Sequence, residues 1–481
     1  MSVETASLES MCELVVDCPH STPKWTDSGV VVLRNQNIRN GELDLSSPSY
    51  TDEKGYRARI KRAVPQAGDI VFTREAPMGE VCVIPEGITC CLGQRQVLLR
   101  PRTSVHGEYL YWALQSPFVK HQISWNEGTG TTVSNVRIPV LKALQIPRRG
   151  REEPVIASVL NSLVKRIRLN HQINQTLEQM AQAIFKSWFV DFEPVKAKIA
   201  ALETGGSQED ALLAAMQAIC GKGEAELTRL HAEQPEQYAE LRATAELFPS
   251  AMQDSELGEI PAGWSVTSVN EIAEIVKGKS YKSAELEPSK TALVTLKSFN
   301  RGGGYRLDGL KEYTGKYKPQ QVVMAGDLII AYTDVTQAAD VIGKPAMVIG
   351  DERYEQLVIS LDVAVIRPVD SALKPYLYGL AKTDTFQFHT KAHTTGTTVL
   401  HLAKNAVPEF RLALPSKDLV DAYSDHANPL FTLINEKVQE SRALESLRDT
   451  LLPRLLSGEL SASNSGNLPI SEPLSAMQEV Q

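Results

Sequence analysis

The chain has 481 residues, 42% of them hydrophobic, and a formal net charge of −8. That is enough to bury a large core and to form two to four domains. The charge excludes a simple polycation, and no run approaches the 18 apolar residues a membrane-spanning helix needs.

In chain order, the first segment alternates short β-rich runs such as Val30–Leu33 with turn residues, as at Asn40-Gly41. It opens close to LVVDCPHSTP, then gives AGDIVFTRE, a strand QVLLRP at Gln96–Pro101 and a helix over Glu108–Gln115. GTGTTVSNVRIP runs from Gly128 to Pro139, and QIP (Gln145–Pro147) leads into a long helix over Glu153–Phe192. An acidic, Ala/Glu/Leu-rich stretch from Ala201 to Pro249 predicts one or two amphipathic helices with loops.

From about Ser255 the plan repeats. VTLKSFNRGGGYRLDGL answers VVLRNQNIRNGELDL, and AGDLIIAYTD answers AGDIVFTRE. KPYLYGLAK answers GEYLYWALQ, TTGTTVLHLAKNAVP answers GTGTTVSNVRIP, and ALP answers QIP. A second long helix follows, in which Pro429 and Pro453 predict a kink or a split near the first of them. The tail beyond Ser461 is polar and expected to be disordered. The six cysteines lack CxxC spacing and the first 30 residues hold no basic-then-apolar signal segment, so reduced thiols in the cytoplasm are expected. Cys18 beside His20 has no second pair to complete a metal site.

The first long helix carries Ile156, Leu160, Leu163, Ile167, Leu177, Ile184 and Trp188 at alternating steps, with Asn170 and Asn174 as amides in the same seam. The second carries Leu430, Ile434, Leu444, Leu451 and Leu455 on a matching stripe, again polar in the middle. This is the pattern that locks one helix into another, and a buried amide commonly sets register. Two such stripes, each after a similar α/β segment, predict that the helices pair with each other. Antiparallel pairing would make a rod of roughly 50 Å, long enough to hold two heads about one turn of duplex apart.

The polar inventory suits reading of DNA. Arg34, Asn35, Gln36 and Asn37 form one cluster, and Lys297, Ser298, Asn300 and Arg301 are expected in the matching place. Arg and Lys suit guanine edges, Asn and Gln suit adenine. The loops Thr129, Gly130, Thr131, Thr132 and Thr395, Gly396, Thr397, Thr398 offer hydroxyls and backbone amides to phosphates, with Lys391 and His393 beside the second. The same loops also read as plain hairpin turns. No GxxxxGK[ST], GxSxG, HExxH, DPPY or NPPY motif occurs; at Gly278-Lys279-Ser280 the first Gly is replaced by Ala273. Two other classes stay open: an enzyme with a fused methyltransferase or nuclease site, and a coiled-coil scaffold with no DNA role.

ELGEIPAGW (Glu256–Trp264), LRDTLLPRLLSGELS (Leu447–Ser461), FKSWFVDFEPVKAK (Phe185–Lys198) and LFPSAMQDSELG (Leu247–Gly258) occur in this order around the duplication. With them the sequence resembles the specificity subunit of type I restriction-modification enzymes over most of its length. The first copy departs from the pattern in lacking a GxIPxGW opening. The resemblance implies an α/β (α+β) fold: two duplicated target-recognition domains separated by a pair of long antiparallel coiled-coil helices, with pseudo-two-fold symmetry. The expected division is 1–150 and 255–415 for the recognition domains, 151–200 and 416–460 for the helices, 201–254 for a linker insert and 461–481 for the tail. It further implies a non-catalytic cytoplasmic subunit that reads a bipartite site on double-stranded DNA. Two methyltransferase subunits modifying adenine at N6, and ATP-driven restriction subunits, would be its partners. S-adenosylmethionine, ATP and Mg2+ would then be bound by those partners and not by this chain.

Overall fold

The computed structural model contains both long helices, Glu153–Phe189 and Lys417–Ser457, of 37 and 41 residues. It describes residues 4–125, 135–336 and 338–462; the Thr129–Thr132 loop and most of the tail lie outside the described residues. The seam follows the sequence pattern. Ile156, Leu160, Leu163, Ile167, Leu177 and Trp188 are buried, and Ile184 partly so. On the second helix Leu451 and Leu455 are buried, while Leu430, Ile434 and Leu444 are half-buried. Each large apolar side chain so covered contributes roughly 1.5–3 kcal/mol.

Two boundaries differ from expectation. The first helix stops at Phe189, because Phe192 turns left-handed (φ 55) and Pro194 begins a new helix over Glu193–Glu203. The second helix is neither split nor interrupted at Pro429 or Pro453. The carbonyls these prolines leave without an N–H belong to Asp425 and Asp449, both exposed residues, where solvent can take up the bond.

The chain divides into two compact units, Met1–Arg168 with Arg442–Gln481, and Leu169–Ser441. In the first, the antiparallel sheet runs Cys12–Asp17, Gln96–Pro101, Ile70–Thr73, Val81–Val83. A second sheet runs Cys90–Leu92, Val30–Leu33, Ser49–Thr51, Trp25–Thr26, and its first pair is parallel. The start of the first long helix lies beside the end of the second: Ile156, Leu160 and Leu163 share a core with Leu451, Leu452 and Leu455.

The second unit repeats the plan. Its larger sheet runs Ala273–Lys277, Val363–Pro368, Leu328–Ala331, Pro345–Met347. Its smaller one pairs Thr291–Val294 in parallel with Gln356–Ile359, flanked by Lys311–Glu312 and Val322–Val323. The added edge strand stands next to Ser49–Thr51 in one head and next to Gln356–Ile359 in the other, so the duplicated plan diverges at its rim. Here the end of the first long helix meets the start of the second. The Trp188 ring lies 6.0 Å from that of Tyr423, and the two helices run antiparallel.

The closing strands locate the copies. Ser265–Ser268 pairs with Arg411–Leu414, and Thr5–Ser7 pairs with Gln145–Pro147. One helical turn follows each opening strand, Val269–Ile272 and Leu8–Met11. The first copy therefore begins at Thr5, upstream of the LVVDC stretch, without needing a GxIPxGW lead-in. Equivalent tyrosines fasten each head to its closing strand: Tyr109 donates to the Pro147 carbonyl at 2.8 Å, Tyr376 to that of Ala413 at 2.6 Å. Three residues beyond Tyr376, Gly379 lies so close to the Phe185 ring that a Cβ there would sit 2.3 Å from it. In the first head the equivalent position is Trp112, whose Nε1 donates to Asn161 Oδ1 at 2.8 Å.

The acidic stretch forms more than the one or two helices expected. Helix Glu193–Glu203 runs into its start, and three more lie within it: Gln208–Cys220, Glu224–Glu233 and Pro235–Glu246. Ser207 caps the second, Gly221 ends it left-handed, and Pro235 starts the fourth. Leu212, Ala215, Met216, Leu227 and Ala245 give the last three a small core of their own.

Candidate nucleic-acid interface

In the first head a single turn of tight helix, Asn35–Asn37, follows strand Val30–Leu33. Asn37 is 4% exposed: its Oδ1 accepts from the Arg34 N–H at 3.0 Å and its Nδ2 donates to the Asp44 carbonyl at 2.9 Å. Both ends of that amide are committed, so Asn37 holds the turn while Arg34 and Gln36 face solvent.

The second head has the same turn at Leu296–Ser298, and Ser298, wholly buried, accepts from the Thr295 N–H at 3.2 Å. Equivalent backbone bonds fix the alignment. Gly93 donates to the Leu33 carbonyl (2.7 Å), and Ser360 to that of Val294 (2.9 Å). Arg34 therefore corresponds to Thr295 and Gln36 to Lys297, two residues away from the match that similarity of letters suggests. Ser298, like Asn37, turns inward. Lys297, Asn300 and Arg301 are exposed, and Arg301 lies 3.9 Å from Asp340.

The loop after helix Asp384–Ala392 is a hairpin of Thr394–Thr395 with Leu400–Leu402. Gly396 has φ +109, and a Cβ there would lie 2.1 Å from the Val399 carbonyl oxygen, so the turn requires glycine. Thr395, Thr397 and Thr398 are exposed on this hairpin. His393 Nδ1 meets the His389 carbonyl at 2.8 Å and stacks on its ring at 4.1 Å, while Lys391 is exposed. Lys344 belongs to the same neighbourhood: the Gly343 turn accepts from Gln387 at 2.8 Å and packs on Thr390. Burial, with Lys391 and Lys382 nearby, holds the Lys344 ammonium below the usual lysine range. Like charges brought together without full compensation are what a phosphate backbone relieves.

Sequence reasoning missed several further residues. Trp25, Gln94 and Arg95 lie with Arg34, Asn35 and Gln36 around one open cleft. Trp125 and Phe388, 80% and 77% exposed, stand on equivalent helices ahead of the two Gly/Thr loops. An exposed aromatic among basic side chains was the available signal, but only the fold brings these segments together. One equivalent pair shows how far the heads have diverged. Arg74 grips Asp17 at 2.9 Å in the first, whereas Lys277 lies 4.5 Å over the Tyr332 ring in the second.

Several basic runs serve structure. The buried Arg59 donates to the carbonyls of Leu92, Ser21 and Pro19, Arg57 pairs with Glu53, and Arg148 pairs with Glu153 at the start of the first long helix. Burial pushes the thiols of Cys12, Cys82 and Cys90 up to about 12, which leaves them unreactive. Among the described residues no group of three His, Cys, Asp or Glu could hold a metal ion, and no helix is long and apolar enough to cross a membrane.

A family model described as "Type I restriction modification DNA specificity domain" matches residues 2–179. The specificity subunit of the type I restriction enzyme HindI from Haemophilus influenzae is 31% identical over 328 residues, 66% of this chain and 69% of that one. The MjaIX specificity subunit of Methanocaldococcus jannaschii is 22% identical over 466 residues, 92% of this chain and 87% of its own. Among solved structures, the type I restriction-modification S subunit from M. genitalium is 15% identical, covers 95% of this chain and 96% of its own, and has a TM-score of 0.46. By its identity with the Haemophilus influenzae subunit and the length over which it holds, the chain belongs to the family of type I restriction enzyme specificity subunits.

Proposed function

We propose that the chain supplies DNA sequence specificity to a type I restriction-modification complex, each head reading one part of a bipartite, asymmetric site. One observation carries this reading: an identical inner plan occurs twice, with different polar residues on the equivalent outward turn. Arg34 and Gln36 present themselves in one head; in the other Lys297 does so, while Thr295, at the position of Arg34, is buried. Two related heads with unlike contact residues suit two unlike half-sites.

The long helices would set the unread spacer between the halves. Their outward faces, together with the helical insert around Ala211–Leu247, would carry two methyltransferase subunits that modify adenine at N6, and ATP-driven restriction subunits would join that assembly. The chain itself takes no chemical step in this reading, and S-adenosylmethionine, ATP and Mg2+ are held by the partners. Reduced cysteines and the family suit a cytoplasmic place of work.

Mapping adenine methylation across a genome in cells that carry the complete system tests the reading. A gapped two-part motif is the expected result, and a continuous short motif overturns it. Purified chain is expected to retain no S-adenosylmethionine in a binding assay, whereas tight binding would favour an enzyme.

A further inference from the structure

The first head carries an open cleft of about 340 Å³ bounded by Trp25, Arg34, Asn35, Gln36, Gln94 and Arg95. Three features set it apart from an ordinary surface groove. The Arg34 guanidinium lies 5.1 Å over the Trp25 ring, and its Nη1 reaches Ser49 Oγ at 3.4 Å. An aromatic face beneath a guanidinium restrains it, and a restrained guanidinium is suited to reading paired acceptors.

Asn35 supplies the second feature. Its Nδ2 donates to the Glu75 carbonyl, which fixes the amide orientation, since a carbonyl there accepts only from the NH2 group. Its Oδ1 is then left buried and without a partner among the described residues. A buried acceptor with no donor is costly, and one placed at the wall of a cleft calls for a donor from outside.

The third feature is backbone strain. Ala76 and Arg95, both lining the cleft, have φ of 44 and 67, in the left-handed region that non-glycine residues avoid. Such residues gather where a ligand is gripped. The Arg95 guanidinium is in turn steadied by Glu75 at 3.2 Å.

Resting on the DNA-reading function proposed above, we infer that this cleft reads a G·C pair from the major groove. Arg34 faces the guanine, and Asn35 Oδ1 accepts from the amine of the paired cytosine. A G·C pair presents guanine N7 and O6 as acceptors and then cytosine N4 as donor, the complement of a guanidinium edge followed by a carbonyl oxygen. An A·T pair would set the adenine amine, a donor, against the guanidinium and leave the Asn35 acceptor facing another acceptor or a methyl group. The second head has Thr295 and Leu296 at the positions of Arg34 and Asn35. Asp362 stands there in place of Arg95, each accepting the equivalent backbone bond at 2.8 Å from Tyr332 or Arg74. The preference is therefore confined to one half-site.

The test uses the full chain expressed with its modification subunits and sequencing-based maps of adenine methylation for the wild type, Arg34→Gln, Arg34→Lys, Trp25→Ala and Lys297→Ala. Arg34→Gln and Arg34→Lys are expected to lose discrimination at a single G·C position by roughly 5- to 100-fold, the worth of one paired base contact. Trp25→Ala should weaken the same position in part, with rescue by Trp25→Phe. Lys297→Ala should change only the other half. Unchanged motifs in both Arg34 variants, relaxation at an A·T position, or equal loss of both halves overturns the assignment of the cleft. Those results leave the two-part reading intact so long as the wild-type motif is gapped; an ungapped wild-type motif sinks that reading itself. Complex assembly and Tm are measured for each variant, and Arg34→Lys decides if Arg34→Gln fails to assemble.

Discussion

Asn170 Nδ2 donates to Ser441 Oγ across 3.3 Å, and both residues are shut off from water in the seam between the two long helices. Moving the same number of residues forward along the first helix and back along the second leads to Trp188 and Tyr423, also in contact. The polar pair thus lies on the antiparallel register that the apolar residues define. It is an imperfect pair, because Asn170 Oδ1 is buried without a partner among the described residues, as is Asn174 Oδ1.

A pair of this kind holds register at the expense of stability. Asn170→Leu combined with Ser441→Ala is expected to stabilise the chain by about 1–2 kcal/mol. That corresponds to an increase in Tm of roughly 2–8 °C, checked by calorimetry. Asn170→Ala alone should lower Tm, since it leaves a cavity. A double variant that melts below the wild type would contradict this account of the seam.

Gly379 and Phe185 give a packing test. A Cβ at 379 would lie 2.3 Å from the Phe185 ring, and Gly379→Ala should cost about 1–3 kcal/mol through overpacking. Phe185→Leu should recover part of that loss, so the two changes together cost less than their sum. Denaturant melts of the four chains measure it; strict additivity would mean that the ring is not what excludes the methyl.

Lys344 separates stability from binding. Its ammonium is desolvated and crowded by Lys391 and Lys382, so Lys344→Met should leave Tm unchanged or raise it by up to about 2 °C. The same change should weaken duplex binding by the assembled complex and lower the slope of log K against log salt by about 1. A fall in Tm with an unaltered slope would make Lys344 structural only.

Acid should act on the loop that follows strand Leu328–Ala331. Burial alone would raise the Asp334 carboxyl, but hydrogen bonds outweigh it: Val341 N–H at 2.7 Å, Thr336 N–H and Oγ1 at 2.8 Å, Ile342 N–H at 3.2 Å. Its pKa is therefore held below the ordinary value. A depressed carboxyl contributes fully above the unfolded value of about 3.9, and its contribution fades as pH falls towards and through the folded one. Protection of the 334–336 and 338–342 amides, relative to their intrinsic exchange rates, should fall below about pH 4, and Asp334→Asn should abolish that pH dependence. Amides equally protected at pH 3 and pH 6 would refute it.

The proposed spacer role has its own length test. Four residues added to each long helix extend it by roughly 6 Å, close to two base-pair rises. The methylated motif should then keep both halves and widen its gap by about one or two base pairs. A gap that stays the same would separate the helices from spacing.

Much of the architecture could be read from the letters because it rests on periodicity. The seam from Ile156 to Trp188 follows from spacing alone, and the order of the two copies from stretches such as AGDIVFTRE and AGDLIIAYTD that answer one another. What escaped depends on contacts made across the fold. Arg34 and Lys297 align as letters, yet the buried partners Asn37 and Ser298 set the true correspondence two residues away. Pro429 breaks a helix in isolation but not one whose orphaned carbonyl faces water. Trp25, Arg34 and Arg95 are far apart in sequence, and no local pattern announces that they share a cleft.

The tyrosine bonds at Tyr109 and Tyr376 have a consequence for evolution. Both heads close onto their final strand by the same fastening, while their outward turns differ in nearly every side chain. Under the proposed reading, substitutions on the rim would change what is read without disturbing the bond that closes each head. If the heads read DNA as proposed, a gene built this way would acquire new recognition by exchanging whole heads, as a lock is rekeyed by swapping its cylinder.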